Sequence, residues 1–163
     1  MLIKNTNTVG IIKQIDLTKI SAADFKQRFV GCIVLTHDNK IILQQRGDDF
    51  ITFPGYLSSF GGCIEKNESP IQALARELNE ELGAIVHEPD VICLGAITEA
   101  FTNHQELVYE YFWHDAHRTI TGCYEGEAKY FDTVKSVFDD PSKIMDDVRW
   151  ALKACQAKRL LNE

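Results

Sequence analysis

The 163-residue chain lacks several features that define common classes of protein. It has no apolar run approaching the ~20 residues of a membrane span, and no N-terminal apolar segment long enough for a secretory signal. Basic residues are the minority, since 17 Lys and Arg face 24 Asp and Glu, for a formal charge of −7. This balance argues against a surface that binds nucleic acid or anionic lipid. We therefore expect a small-molecule partner, and neither bulk nucleic acid nor a membrane.

Cysteine is present in an odd number, five, and in no C-x-x-C pattern. A disulfide framework and a Cys-type zinc site are therefore not expected. Free thiols fit a reducing compartment, so we expect a cytoplasmic protein. Glycine-rich phosphate loops of the Walker type are also absent.

What remains is the composition of an ordinary folded domain, with 45% hydrophobic and 25% charged residues. The length is typical of one domain and sufficient to bury a core. Strand-like and helix-like segments alternate without a linker or a compositional break. We therefore expect a single α/β domain over residues 1–163.

Hydrophobic patterning places the elements coarsely. Strands are predicted at 9–15, 29–36, 41–43, 91–100, 107–113 and 129–131. Helices are predicted at 70–82, at 132–138 with Asp132 as the cap, and at about 141–160. Between these, residues 47–60 are rich in Gly, Pro, Asp and aromatic residues, which predicts a loop.

The helix at 70–82 carries the clearest chemical signal. Ser69 before Pro70 is a typical helix start and Gly83 a typical stop. At about 100° per residue an apolar stripe forms, made of Ile71, Leu74, Leu78 and Leu82. A neighbouring face gathers three carboxylates, Glu77, Glu80 and Glu81. Hard divalent cations take oxygen ligands from such groups, although a solvated acidic face is the alternative interpretation.

A longer pattern surrounds these glutamates. Residues 62–84 read GCIEKNESPIQALARELNEELGA, which resembles the Nudix box, G-x5-E-x7-R-E-U-x-E-E-x-G-U, where U is bulky and aliphatic. The matching positions are Gly62, Glu68, Arg76, Glu77, Leu78, Glu80, Glu81 and Gly83. Ala84 departs from the final aliphatic position, a packing position and not a catalytic one. The preceding Phe60-Gly61-Gly62 and the hairpin ending in Gln44-Gln45-Arg46 also resemble the family, whereas the termini are not covered.

The resemblance implies a fold and an activity. The fold is an α/β/α sandwich with a mixed β-sheet, in which the box forms a loop–helix–loop. The activity is metal-dependent hydrolysis of a diphosphate linkage in a nucleoside diphosphate joined to another moiety. Such substrates include nucleotide sugars, ADP-ribose, dinucleoside polyphosphates and nucleoside triphosphates. A homodimer is a possible assembly of such a domain.

The resemblance also implies roles for individual residues. Mg²⁺ or Mn²⁺ is expected on the three box carboxylates, Glu77, Glu80 and Glu81. Arg76 is expected to orient a carboxylate, Glu68 to assist the metal shell, and the Gly61 carbonyl to be a further ligand. Metal ions neutralise the diphosphate and activate water, and one glutamate then takes the proton. Which glutamate is the base, and how many metal ions bind, stay open.

Candidates outside the box are less specific. A further acidic ligand is expected downstream, at Glu125 in preference to Glu127, with a solvated turn as the alternative. Arg46 is a candidate phosphate ligand, or else forms a surface salt bridge. In the loop before the box, the candidates for stacking on a base or sugar are Phe53, Tyr56 and Phe60, with core packing as an equal alternative. Core packing is the preferred interpretation of the alternating Tyr109, Tyr111 and Trp113, and the pair His114 and His117 is interpreted as a surface pair.

Two other functions compete with hydrolysis. A non-catalytic Nudix module that binds a nucleotide as a sensor or interaction platform is one, but such modules usually lose box glutamates and none is lost here. An isoprenyl diphosphate isomerase is the other. That branch needs a catalytic cysteine in a particular setting, which neither Cys32 nor Cys63 matches.

Overall fold

A mixed eight-stranded β-sheet forms the middle layer of the computed structural model, which describes residues 12–163. Its strands are β1 Ile12–Ile15, β2 Gln27–Leu35, β3 Ile41–Gln45, β4 Leu57–Ser58, β5 Phe60–Cys63, β6 Ile92–Glu99, β7 Glu106–His114 and β8 Glu127–Phe131. The main path runs β1-β6-β7-β2-β3-β4, with β5 paired to β2 and β8 paired to β3. β2 and β7 are parallel, whereas the other pairs are antiparallel.

Helices cover both faces of this sheet. α1, Pro70–Leu82, packs on one face, and α2, Val134–Phe138, and α3, Asp146–Ala157, pack on the other. Successive strand residues point to opposite faces, so Cys32 and Val34 of β2 join the α1 side while Ile33 joins the α3 side. The α/β/α sandwich with a mixed sheet is therefore confirmed.

Local sequence determines the ends of α1. The Ser69 hydroxyl accepts a hydrogen bond from the Gln72 N–H at 3.2 Å, and the Gln72 side chain accepts one from the Ser69 N–H at 2.9 Å. This reciprocal cap satisfies two N–H groups that have no partner within the helix. At the other end Gly83 adopts a left-handed conformation, with φ of 66°, and ends the helix. The predicted start and stop are both confirmed.

The C-terminal helix is shorter than the predicted 141–160. It begins at Asp146 because the preceding residues pair with β4 instead. The Leu57 N–H donates to the Lys143 carbonyl at 2.8 Å, and the Met145 N–H donates to the Leu57 carbonyl at 3.1 Å. A segment held in this extended pairing cannot also be helical.

Three smaller expectations need adjustment. The predicted loop at 47–60 contains β4 and the first residue of β5. Thr133, not Asp132, caps α2, since its hydroxyl accepts from the Ser136 N–H at 3.1 Å. Of the strand predicted at 9–15, only residues 12–15 lie within the described part of the chain, and these form β1.

Aromatic residues of β7 belong to the core on the α1 side. Tyr111 and Trp113 are buried there and Tyr109 packs against them, which confirms the core interpretation. All five cysteines are free thiols in the structure. Within residues 12–163, no helix has the length and apolar character needed to cross a membrane.

Candidate active site

A cleft of about 780 Å³ brings the box together with residues far from it in sequence. Its lining includes box carboxylates and the two glycines of β5, together with Glu125 from the segment before β8. It also includes residues at the end of β6 and the first turn of α3. The fold therefore gathers the predicted site residues against a surface that the box alone does not supply.

Arg76 is the centre of an ionic network beside the cleft. Its Nε and Nη2 donate to the two oxygens of Glu68 at 2.8 and 3.0 Å, and its Nη1 donates to Oε1 of Glu77 at 2.9 Å. A further bond from Nη2 reaches the Cys63 carbonyl at 2.9 Å. These bonds hold the pKa of Glu68 at about 2. Arg76 thus contacts Glu77 directly, whereas Glu68 holds Arg76 and does not line the cleft.

Glu81 is the most buried of the box carboxylates. The Gly61 N–H donates to its Oε2 at 3.0 Å, which ties α1 to β5. Burial raises the pKa of Glu81 to about 9, and the neighbouring carboxyl groups of Glu125 and Glu77 add to this rise. Carboxylates crowded in this way without a cation create a strong local demand for positive charge.

Two glycines of β5, Gly61 and Gly62, face the helix and its carboxylates. Gly61 has φ of 149°, and a Cβ there would overlap the carbonyl oxygen of Val30. At Gly62 a Cβ would overlap the Glu77 carboxylate, which packs directly on this backbone. The glycines therefore allow the sheet to approach the carboxylates of α1 closely.

The structure distinguishes Glu125 from Glu127. Glu125 lines the cleft, and its carboxyl lies within hydrogen-bonding reach of that of Glu81. The Gln44 side chain positions it by donating to the Glu125 carbonyl at 2.9 Å, and is itself held by the Ser58 hydroxyl at 2.9 Å. Glu127 lies in β8 opposite Gln45, and it is not part of the lining.

Glu80 lies outside the cleft. Its side chain is 59% exposed and its nearest charged partner is Arg76, at 3.6 Å. Of the residues implied as metal ligands, the structure therefore brings together Glu77, Glu81, Glu125 and Gly61, but not Glu80.

The donor chemistry of the cleft fits a hard divalent cation. Within residues 12–163 no three His, Cys, Asp or Glu side chains already form a metal-binding group. Mg²⁺ does not need one, because it usually binds one or two carboxylates and completes its shell with water and substrate phosphates. The adjacent carboxyl groups of Glu81 and Glu125 meet that requirement, with the Gly61 backbone beside them.

Three of the four candidate substrate residues, Arg46, Phe53 and Phe60, belong to the cleft lining. Arg46 lies 4.4 Å over the Phe50 ring and donates to the Thr52 carbonyl at 2.9 Å, while its guanidinium faces the cleft carboxylates. Phe53 packs edge-on against Phe101, with ring centroids 5.4 Å apart.

Tyr56 and Phe60 are not placed for stacking on a substrate. Tyr56 packs behind Phe53 at 5.3 Å and does not line the cleft. Phe60 has no exposed side-chain surface and belongs to the core on the α1 side. No face of its ring is available for stacking, so the expectation for Phe60 is corrected.

Sequence reasoning missed a second acidic group at the cleft, made of Glu99, Glu110 and Asp147. Glu99 and Asp147 line it, and Glu110 is buried beside the lining residue Gly31. One signal was available, because Glu110 interrupts a strand of aromatic and aliphatic residues. Asp147 had no such signal, since an acidic residue in the first turn of a helix is common.

A loop–helix–loop that presents carboxylates to a cleft on a mixed sheet is the architecture of the Nudix class. The NUDIX domain model matches residues 25–150 of this chain. The chain belongs to the NUDIX family.

Curated relatives share only part of their length with the chain. Isopentenyl-diphosphate Delta-isomerase 1 of Photorhabdus laumondii is 31% identical over 86 residues, which are 52% of this chain and 48% of that protein. Nucleoside triphosphatase NudI of Escherichia coli is 38% identical over 58 residues, which are 36% of this chain and 41% of that protein. The alignments thus span less than half of either relative.

Solved structures share the fold over most of the chain. The MutT protein from Methanosarcina mazei has a TM-score of 0.65 at 16% identity, covering 85% of this chain and 99% of that one. The NUDIX domain of Shewanella oneidensis NrtR, complexed with ADP ribose, has a TM-score of 0.62 at 18% identity, covering 88% and 96%. At these identities the likeness is one of fold.

Proposed function

We propose that this protein is a metal-dependent Nudix pyrophosphohydrolase that cleaves a diphosphate linkage in a nucleotide-type substrate. The observation that carries the proposal is the convergence of Glu77, Glu81 and Glu125 on one cleft that also holds Arg46. Each of the three residues is held by a separate contact. Arg76 donates to Glu77, the Gly61 N–H donates to Glu81, and Gln44 donates to the backbone carbonyl of Glu125. Such preorganisation is what phosphoryl chemistry requires.

The residues divide the chemical work. Glu81 and Glu125, with the Gly61 carbonyl, would hold Mg²⁺ or Mn²⁺, and such an ion would neutralise the diphosphate and lower the pKa of bound water. Arg46, in the same lining, would bind a phosphate oxygen. A box carboxylate accepts the proton of the attacking water. An acidic cleft therefore accommodates an anionic substrate, because divalent cations reverse the sign of the local charge.

The names of two related proteins support a nucleotide. One is a nucleoside triphosphatase and the other was crystallised with ADP ribose. The isomerase relative supports the alternative function of an isoprenyl diphosphate isomerase, which would need a catalytic cysteine. That alternative is disfavoured because Cys32 is fully buried, which raises its pKa well above the usual value, and Cys63 does not line the cleft.

A substrate panel tests the proposal. Purified protein is incubated with Mg²⁺, Mn²⁺ or EDTA and with ADP-ribose, nucleotide sugars, dinucleoside polyphosphates and nucleoside triphosphates. We expect turnover of at least one class, its loss in EDTA, and a decrease of about 100-fold or more in Glu81→Gln. Glu88→Gln, at an exposed position away from the cleft, is the matched control.

The same panel separates hydrolysis from simple binding. Folded, metal-replete protein that binds a nucleotide without hydrolysing any panel member would favour the non-catalytic module. Cytoplasmic location and homodimer formation stay predictions, and sedimentation of the purified protein measures the second.

A further inference from the structure

A second group of carboxyl groups lies at the cleft, away from the box carboxylates. We call Glu99, Glu110 and Asp147 the acidic floor. They come from β6, β7 and the first turn of α3, on the sheet face that α3 covers. Glu99 and Asp147 line the cleft. None of the three belongs to the box, and Arg46 faces both Asp147 of the floor and the carboxylates of the proposed metal site.

Glycines on both neighbouring strands make room for Glu110. Strand register places Gly31 of β2 and Gly95 of β6 directly beside it. A Cβ on Gly31 would lie 2.8 Å from Oε2 of Glu110, so the carboxyl group lies over the Gly31 backbone. Because Gly31 itself lines the cleft, the buried Glu110 carboxyl lies directly beneath that lining. Trp150 of α3 fills the space over Gly95 on the other side.

Glu110 is fully buried and has no hydrogen-bond partner. Its exposed fraction is 0%, and neither carboxyl oxygen is satisfied by any group within residues 12–163. Nearly all buried polar groups in folded proteins are hydrogen-bonded, and an unsatisfied one calls for a functional or structural explanation. Packing alone would be better served by an apolar side chain at this position.

Within residues 12–163, no ion pair with a basic side chain neutralises the floor. None of the ion pairs formed within residues 12–163 includes Glu99, Glu110 or Asp147. Burial is the main cause that raises the pKa of each, and neighbouring carboxyl groups, Asp146 among them, add to the rise. Asp147 is the least shifted, with a pKa of about 6, because the Val148 N–H donates to its Oδ1 at 2.9 Å and Arg46 faces it. At neutral pH the Asp147 carboxyl is therefore mainly ionised and accepts hydrogen bonds, which suits a ligand that donates them.

The surroundings of the floor suit a flat, aromatic group. Phe53 and Phe101 form an edge-on pair in the same lining, and Phe101 follows Glu99 by two positions. Half of Phe101 is exposed, which leaves ring surface for stacking. The Arg46 guanidinium faces Asp147 of the floor and also Glu81 and Glu125 of the proposed metal site. A nucleotide whose phosphates contact Arg46 thus has its base within the part of the cleft that contains the floor.

We infer that the acidic floor is a base-recognition site that selects nucleotides bearing an exocyclic amino group, as in adenine and cytosine. The inference rests on the proposed function, since it assigns the substrate class of that same cleft. A carboxylate accepts N–H bonds from such an amino group. A carbonyl oxygen of the base at the same position would point its lone pairs at those of the carboxylate, which is repulsive. Sites built to bond a polar substrate group reject the analogue that lacks it far more strongly than apolar pockets reject a changed size.

Matched nucleotide pairs test the inference by binding. AMP is compared with IMP, and CMP with UMP, by titration calorimetry in Mg²⁺, because each pair differs in an amino group against a carbonyl. We expect the amino member to bind at least about 10-fold more tightly, since one polar contact of this kind is worth that much or more. Asp147→Asn should reduce the ratio to within about threefold, because the amide donates as readily as it accepts.

Two further variants make the result specific. Asp139→Asn removes an exposed charge outside the cleft lining and should keep the wild-type ratio. Asp147→Ser also removes the acceptor carboxylate and should lower the ratio as Asp147→Asn does, and it replaces that variant if Asp147→Asn does not fold. The ratio of kcat/KM for the triphosphates in each pair is the parallel readout.

The outcomes distinguish the inference from the proposed function. Equal binding within each pair, tighter binding of the carbonyl member, or no binding of any nucleotide overturns the inference, whatever the hydrolysis assay gives. Hydrolysis without discrimination leaves the proposed function standing alone. Discrimination that Asp147→Asn removes, without hydrolysis of any diphosphate, supports the inference and contradicts the proposed function.

Discussion

The backbone N–H of Gly61 donates a hydrogen bond to Oε2 of Glu81 at 3.0 Å, joining the strand before the box to the last turn of its helix. Two residues twenty positions apart are thereby held as one unit. The bond requires the sheet backbone to pass close beneath the helix, and only glycine permits this at a φ of 149°. Gly61, just before the box, therefore helps to position Glu81, the last carboxylate of the box.

Replacing Gly61 tests this relationship. In Gly61→Ala the added methyl group overlaps the Val30 carbonyl and opposes the backbone conformation, so we expect the free energy of unfolding to fall by about 1–3 kcal/mol. Hydrolysis should fall with it, because the Glu81 carboxylate loses its anchor. Urea denaturation and kcat/KM measure the two effects.

Gly122→Ala is the matched control for that variant. Its added methyl group meets only the ring of the exposed Tyr124, at 3.3 Å, which can move aside. We expect a change in the free energy of unfolding within about 0.5 kcal/mol. Equal destabilisation by both variants would contradict the role assigned to Gly61.

Arg76 is expected to need its guanidinium and not only its charge. Arg76→Lys keeps the charge but loses the fork that reaches Glu68 and Glu77 together. We expect kcat to fall by about 10-fold or more, as for other residues that orient metal-binding carboxylates. A lysine variant with unchanged kcat at saturating Mg²⁺ would show that Arg76 does not orient the site.

The lowered pKa of Glu68 predicts a pH dependence of stability. Its folded-state value of about 2 lies below the ordinary 4.5, so its contribution is fully present above pH 4.5. That contribution is lost as pH falls from 4.5 toward 2, because the unfolded chain takes up the proton first. Glu68→Gln should flatten the stability curve in this interval, measured by urea unfolding at each pH, and an unchanged slope would contradict the assignment.

Glu125 and Glu127 form a natural pair of variants. Glu125→Gln removes a carboxylate that contacts Glu81 in the cleft, and we expect kcat/KM to fall by at least about 10-fold. Glu127→Gln changes an exposed position of β8 and should stay within about twofold of wild type. The opposite order would place the additional ligand on β8.

Glu110 is predicted to lower stability at high pH. Burial raises the folded-state pKa of Glu110 well above 4.5. The free energy of unfolding is therefore least affected by Glu110 below pH 4.5, and it decreases as pH rises from 4.5 through the folded-state pKa. Glu110→Gln cannot ionise and should raise the free energy of unfolding at pH 8 by about 1–3 kcal/mol, with a smaller effect at pH 4. A larger gain at pH 4 than at pH 8 would contradict the assigned pKa direction.

Local chemistry explains what could be predicted from the chain alone. The limits of α1 follow from Ser69, Pro70 and Gly83, because caps act within one turn of the residues they satisfy. The Nudix box is contiguous, so Arg76 and the glutamates are legible as a group before any fold is known. The sandwich class follows from the alternation of strands and helices together with that box.

Other features depend on partners distant in the chain. Phe60 is a core residue because the sheet packs it among the apolar residues on the α1 side. Glu125 is a cleft residue because Gln44 holds its backbone there. Asp147 and Glu99 are nearly fifty positions apart in the chain. They come close together because α3 begins directly after the segment that pairs with β4. Periodicity and motif spacing report contacts along one element, whereas these sites form across elements by burial and strand register, and that is why only the tertiary structure reveals them.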